Sequence, residues 1–233
     1  MASLRDIKIE GKLTPEALDI SQCLRADKWI DHDHPDIIKK AKELTDDIED
    51  DWEKVIAIFE FIRDKIVYNF APVIENATDW KASLVLKQKN GMCHQKSNLQ
   101  VALFRAVGIP AALTYQSVVD YPLLKSRYKE MIPNGVLAYH ALGVVHIDGE
   151  WYRMDATLDA GLCNRRGYQL THVNPNEETL LPETKKDGDA HFEIVEDHGY
   201  FDAYPQLFVE SFLQNIDRWK YWRSFVRKEH LSM

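Results

Sequence analysis

The chain has 233 residues, 45% of them hydrophobic and 11% aromatic, which is enough to bury a full core and excludes disorder as its main theme. Its formal net charge is −8 with no local basic patch, which argues against nucleic acid and anionic lipid surfaces as partners. No stretch approaches the roughly 18 apolar residues of a membrane span. The start MASLRDIKIEGKL lacks an apolar signal region, and Cys23, Cys93 and Cys163 form no CxxC pair; a soluble, cytoplasmic chain with at least one free thiol and no disulfide framework is expected.

In chain order, the stretch up to about Asp33 reads as irregular, and His34-Pro35-Asp36 opens a helix with proline near its first turn. Beyond Thr45, the residues Trp52, Val55, Ile56, Phe59, Ile62 and Ile66 keep helical spacing and predict an amphipathic helix. A short helix is expected over 79–88, then a turn at Lys89-Asn90-Gly91, then a second long helix from about 93 to 107. That helix carries Leu99, Ala102, Leu103, Ala106 and Val107 on its apolar face and is stopped by Gly108 and Pro110. The segment AALTYQSVV alternates as a strand, and Tyr121 to Met131 reads as a loop or short helix. Val136–Ile147, the pair Asp148-Gly149 and Glu150–Thr157 give the clearest hairpin signal. A polar covering loop over 165–189, a strand near His191–Glu196 and a terminal helix with Phe208, Phe212, Ile216, Trp219, Trp222 and Val226 complete an α+β order. The aromatics Trp219, Tyr221, Trp222 and Phe225 are read as core packing, with part of them able to cover a second copy in a homo-oligomer.

Cys93 follows Gly91-Met92 at the first turn of the second long helix. A cysteine here can be a small buried hydrophobe. It can also be a nucleophile, because the free amides and dipole of a helix N-terminus favour thiolate over thiol and the glycine leaves room for a substrate backbone. The hairpin decides. With Asp148-Gly149 as the turn, His146 faces Trp151, Val144 faces Arg153, Leu142 faces Asp155 and His140 faces Thr157. His140 and Asp155 then share a sheet face as diagonal neighbours at roughly 7–8 Å between backbones, a gap an imidazole and a carboxylate can bridge. A helix-borne Cys with a strand His and a neighbouring Asp is the arrangement thiol acyl chemistry requires.

The motif Gly91-Met92-Cys93-His94-Gln95-Lys96 with LQVALFRAVGIPAAL, and Tyr139-His140 with ALGVVHIDGEWYRMDAT, resemble the transglutaminase-like superfamily. The resemblance extends through IDHDHP, FEFIRDKIVY and EDHGYFDAYP, from about residue 30 to 204, and is strongest to a compact prokaryotic-type subgroup. It implies one domain over 1–233 with the core at 30–204, and a papain-like fold in which the Cys helix packs on an antiparallel sheet carrying His and Asp. It also implies Cys93 as nucleophile, His140 as base then acid, and Asp155 as the group holding the imidazole tautomer. It leaves the reaction open among amide hydrolysis, transamidation, deglycosylation of peptides and noncatalytic binding. The expected substrate is a peptide, protein or small amide, with no cofactor, metal or calcium requirement. Competing readings are acyl transfer from a thioester donor and an inactive binding module.

Other residues are weighed against plainer roles. His94 is expected at the rim and His146 as a less suitable base. Asp31-His32-Asp33-His34 is read as a capping turn rather than a metal site. Cys23 and Cys163 are expected to be structural. Lys96 and Arg105 are expected at solvent or in salt bridges, Lys96 with the option of lining a site for an acidic substrate. Tyr68, Asn69 and Trp80 are candidates for a second oxyanion donor, each equally a core or turn residue.

Overall fold

The computed structural model describes residues 8–126, 132 and 135–230. Helix α1 (Pro35–Thr45) starts with proline in its first turn, and His34 Nδ1 accepts from the Asp36 amide at 3.2 Å. Helix α2 (Asp51–Lys65) is capped by Asp50, whose carboxylate accepts from the Glu53 amide at 2.9 Å. Its buried stripe is Trp52, Val55, Ile58, Phe59 and Ile62. Ile56 lies at the stripe's margin and is half-buried, while Ile66 is buried just beyond the helix end.

The expected helix over 79–88 is split at Lys81, whose extended backbone separates a 3₁₀ turn at Ala77–Trp80 from α3 (Ala82–Gln88). The turn expected at 89–91 holds more than a turn. Lys89 is left-handed, and the next two residues form β2 (Asn90–Gly91), which pairs in parallel with β1 (Val67–Tyr68) just after α2. Two-residue strands have no period, so the sequence carries no trace of them. This pairing fixes the chain immediately ahead of Cys93, the first residue of α4 (Cys93–Ala106). Gly108, at φ +82°, ends that helix.

The four remaining strands form one antiparallel sheet in the order β5-β4-β3-β6, with β3 (Ala111–Asp120), β4 (Val136–Ile147), β5 (Glu150–Met154) and β6 (Phe192–Phe201). Between β3 and β4, α5 (Tyr121–Leu124) takes up the short-helix alternative; residues 127–131 of that connection lie outside the described residues. Asp148 and Gly149 both have positive φ, as a two-residue hairpin turn requires, and the register His146↔Trp151, Val144↔Arg153, Gly143↔Met154 is the expected one. Ala111, Leu113 and Tyr115 with Ala141 and Val145 join the main core beside α4, while Ala112 and Val144 pack with Leu18 and Cys23 in a smaller cluster.

Two corrections concern the C-terminal half. A helix absent from the expected order, α6 (Ala160–Arg166), precedes the polar loop and overlaps only its first two residues; it is capped by Asp159 and closed by Gly167 at φ +69°, and at seven residues it is too short to declare a period. The terminal helix is two helices, α7 (Gln206–Gln214) and α8 (Ile216–His230). The break is at Asn215, whose side chain donates back to the Ser211 carbonyl at 2.8 Å. Trp222 packs on Phe70 and Trp219 donates to the Pro72 carbonyl, whereas Tyr221 is 67% exposed; the side chains of Phe225, Arg227 and Lys228 lie outside the described residues.

α4 approaches β4 closely at Gly143, where an added Cβ would lie 2.7 Å from Gln100 Oε1. Gly143→Ala is therefore expected to displace the buried Gln100 side chain and cost about 1 kcal/mol of stability, the low end of the overpacking penalty. Urea unfolding followed by circular dichroism measures it; an unchanged midpoint would show that the helix–strand gap is slack.

Candidate active site

Helix α4 is polar along much of its length, yet His94 through Arg105 are all buried. A buried polar side chain must find a partner, and these reach the carbonyls of surrounding segments. Gln95 accepts from the Met92 amide at 3.2 Å and donates to the Asp79 carbonyl at 2.7 Å, and Asn98 donates to the Trp80 carbonyl at 3.1 Å. Lys96 donates to the Ile66 carbonyl at 2.6 Å, at the end of α2. Arg105 donates to the carbonyl oxygens of Ala111, Arg25 and Asp202.

Lys96 and Arg105 are thus internal ties, contrary to the expectation of solvent or salt-bridge groups, and Lys96 lines no site for an acidic substrate. Burial pulls the Lys96 ammonium down to about 7 against the pull of Asp159, Asp155 and Asp64. A side chain at Gly91 would meet the Gln95 Cβ at 2.8 Å. The glycine therefore makes room for the helix's own first turn rather than for a substrate backbone.

Cys93, half-buried at the head of α4, stands beside His140 on β4, near enough to help hold the imidazole's proton. On its far side His140 Nε2 lies 2.7 Å from Asp155 Oδ2, with the two residues 5% and 3% exposed. Nδ1 is left for the sulfur. The ladder between β4 and β5 stops at the Gly143–Met154 pair, one residue short of the expected Leu142–Asp155 pair. Asp155 instead turns its amide to the Thr179 carbonyl at 2.7 Å, and its Oδ1 accepts from the Thr157 amide at 3.0 Å. The covering loop thus carries the aspartate past the strand end. Burial opposes charge on both partners, but the Asp155 carboxylate and the Cys93 side chain together hold the His140 proton well above the ordinary histidine range. The imidazolium and the Thr157 hydrogen bonds keep Asp155 ionised. The pair is an imidazolium beside a carboxylate, with the Cys93 sulfur on the imidazolium's free edge.

His146 packs on Trp151 at 4.9 Å, away from this pair. His94, expected at the rim, is buried: its Nδ1 lies 2.8 Å from the Tyr204 hydroxyl and its ring sits among Trp80, Tyr115 and Phe208. Nothing in the sequence announces this, because the covering residues come from distant segments.

Of the donor candidates, Trp80 belongs to the core, and Asn69 ties β1 to Asn90 at 3.1 Å. Tyr68 is different: its phenol has Cys93, Asp120 and Asp155 as electrostatic neighbours, and burial first and those charges second push it well above its ordinary value, so it stays protonated. Asp31 accepts from the Ser83 amide and hydroxyl at 3.0 and 2.6 Å and so caps α3, while His34 caps α1. Among the described residues no group of three or more His, Cys, Asp or Glu converges as metal ligands would.

The model of the transglutaminase-like superfamily matches residues 38–156, just over half of the chain, a span that begins in α1 and closes immediately after Asp155. The chain belongs to the transglutaminase-like superfamily. Among solved structures, this superfamily member is similar to a candidate cysteine protease from Cytophaga hutchinsonii, at 25% identity and TM-score 0.47 over 63% of this chain and 45% of that one. It is also similar to the periplasmic domain of TgpA from Pseudomonas aeruginosa, at 18% identity and TM-score 0.42 over 60% of this chain and 48% of that one. The matched region spans less than half the length of either protein. No curated protein matches the chain. No helix among the described residues is long and apolar enough to cross a membrane.

Two measurements probe this geometry. Burial pushes the Cys23 thiol up to about 11 and raises that of Cys163, so limiting iodoacetamide at mildly acidic pH should modify Cys93 first; peptide mapping that found the adduct on either other cysteine would contradict it. Asp155→Asn removes the charge that retains the His140 proton, so the imidazole should titrate at lower pH than in the wild type. Proton NMR of the His140 ring reads this directly, and an unmoved titration would mean that Asp155 does not set it.

Proposed function

We propose that the protein is a thiol-dependent enzyme of amide chemistry, a hydrolase or acyl transferase that works through an acyl-thioester on Cys93. The observation that carries this reading is His140, buried between the Cys93 side chain and the Asp155 carboxylate, with the 2.7 Å contact to Asp155. Superfamily membership supports it, because the matched span includes all three residues.

In this reading the Cys93 thiolate attacks the carbonyl carbon of a peptide, protein or small amide, forming the C–S bond. The Cys93 backbone N–H, in the first turn of α4, and the protonated Tyr68 hydroxyl are the donors available to the oxyanion. As the tetrahedral intermediate collapses, the C–N bond breaks and the proton on His140 passes to the leaving amine. Water or an amine then enters, His140 takes its proton, and the thioester opens to restore the thiolate. Asp155 stays ionised throughout, orients the ring and stabilises the imidazolium. All three members of the set are present and connected, which favours an enzyme over a binding module of the same fold. We place its work in the cytoplasm, in keeping with its free thiols.

Incubation with carboxamide peptides followed by rapid acid quench and intact-mass measurement should reveal an acyl adduct. It should map to Cys93, be absent from Cys93→Ala and be discharged by hydroxylamine. Asp155→Asn should lower turnover by about 10⁴-fold, far more than it lowers stability, since it leaves the packing nearly intact but favours the wrong tautomer. Exhaustive chelation should leave acylation unchanged. Absence of any Cys93 adduct across a broad amide panel, or turnover unaffected in Cys93→Ala, would overturn the proposal.

A further inference from the structure

Two side chains of α4 grip β4 on either side of His140. Ser97 Oγ donates to the carbonyl of Ala141 at 2.9 Å, immediately after His140. The His94 ring hydrogen-bonds the backbone of Tyr139, immediately before it. His94 and Ser97 are three residues apart and therefore neighbours on one helix face; Gln100, the next in that row, meets Gly143. The row His94, Ser97, Gln100 thus runs along Tyr139, Ala141, Gly143. The strand is bulged here, its register against β3 shifting between Gln116 and Val118, and Tyr139 has the unusual φ of +56°. Left-handed backbone at a tyrosine is costly, of order 1–3 kcal/mol, and persists only when its surroundings hold it.

We propose that His94 and Ser97 are positioning residues: their hydrogen bonds to the carbonyls flanking His140 set the distance between the His140 imidazole and the Cys93 sulfur. The inference rests on the functional reading above and adds to it a means of alignment. His94 suits the task because both ring nitrogens are engaged. The Tyr139 carbonyl can only accept, so the nitrogen facing it carries the proton, and Nδ1 accepts from the Tyr204 hydroxyl at 2.8 Å. The titratable groups facing the ring are Tyr204, Tyr115 and, further off, His140. Burial among them pulls the His94 imidazole down to about 3, so it does not charge while the neighbouring pair does. Ser97, 3% exposed, sends its hydroxyl to the strand.

The test is the pH profile of Cys93 alkylation by iodoacetamide in the full-length protein, beside the thermal midpoint. His94→Phe keeps a ring in the aromatic cage but removes both hydrogen bonds, and should reduce acid-side alkylation of Cys93 about tenfold, the scale of a sub-ångström misplacement. Ser97→Ala should do so by a smaller factor. His94→Gln, whose amide can accept from Tyr204 and donate to Tyr139, should restore most of the loss. A purely structural role would lower the midpoint and leave the profile in place. Wild-type profiles in His94→Phe and Ser97→Ala overturn the inference and leave the proposed function standing. A wild type with no acid-side preference for Cys93 overturns the proposed function and the inference with it. Should His94→Phe fail to fold, the Ser97→Ala profile decides.

Discussion

A helix buried on every side can be polar only if each polar side chain finds a partner, because an unpaired polar group in a low-dielectric interior costs about 1–3 kcal/mol. Helix α4 meets most of this demand by reaching outward to backbone carbonyls, Gln95 to Asp79, Lys96 to Ile66, Ser97 to Ala141, Asn98 to Trp80 and Arg105 to Ala111, and leaves Asn98 Oδ1 and Gln100 Nε2 without a partner among the described residues. These bonds tie the helix that carries Cys93 to separate segments along its length. The end of α2, the turn before α3, the hairpin strand and the N-terminal segment are all registered against one helix. The position of the sulfur follows from that registration.

The imidazolium–carboxylate pair is the second costly feature. A buried ion pair repays its desolvation only with good geometry and satisfied remaining lone pairs. Asp155 has both: Oδ2 on His140, Oδ1 on the Thr157 amide, and its own backbone held by Thr179. The loop that brings Thr179 to the strand end is therefore part of the site's architecture, and its polar composition fits a segment that satisfies backbone groups rather than one that fills a core. Arg63 makes a related connection, donating to the Thr171 carbonyl while Thr171 reaches the Asp155 carbonyl at 3.4 Å, so α2 and the loop meet behind the aspartate.

The burial of His94 shows how closely chemistry and support are interleaved. Adjacent residues on one helix end point different ways, so Cys93 faces His140 and His94 faces the core. The same turn of helix presents the sulfur to His140 and anchors the backbone beside it.

Much of this was legible in the sequence. The α2 stripe, the stop at Gly108, the Asp148-Gly149 turn and the resulting register of β4 on β5 are local signals, set by side-chain period and by residues that tolerate positive φ, and they were sufficient to bring His140 and Asp155 together. The motif around Cys93 supplied the superfamily. Tertiary structure alone decided the rest. The β1–β2 pairing, α6 and the break at Asn215 are too short or too contextual to leave a period. The burial of His94, Lys96 and Arg105 was invisible because polarity predicts exposure unless partners are known, and those partners are carbonyls of residues far away in the chain. Sequence determines which groups a segment carries and how they repeat; only the fold determines which distant backbone atoms stand within hydrogen-bonding reach of them.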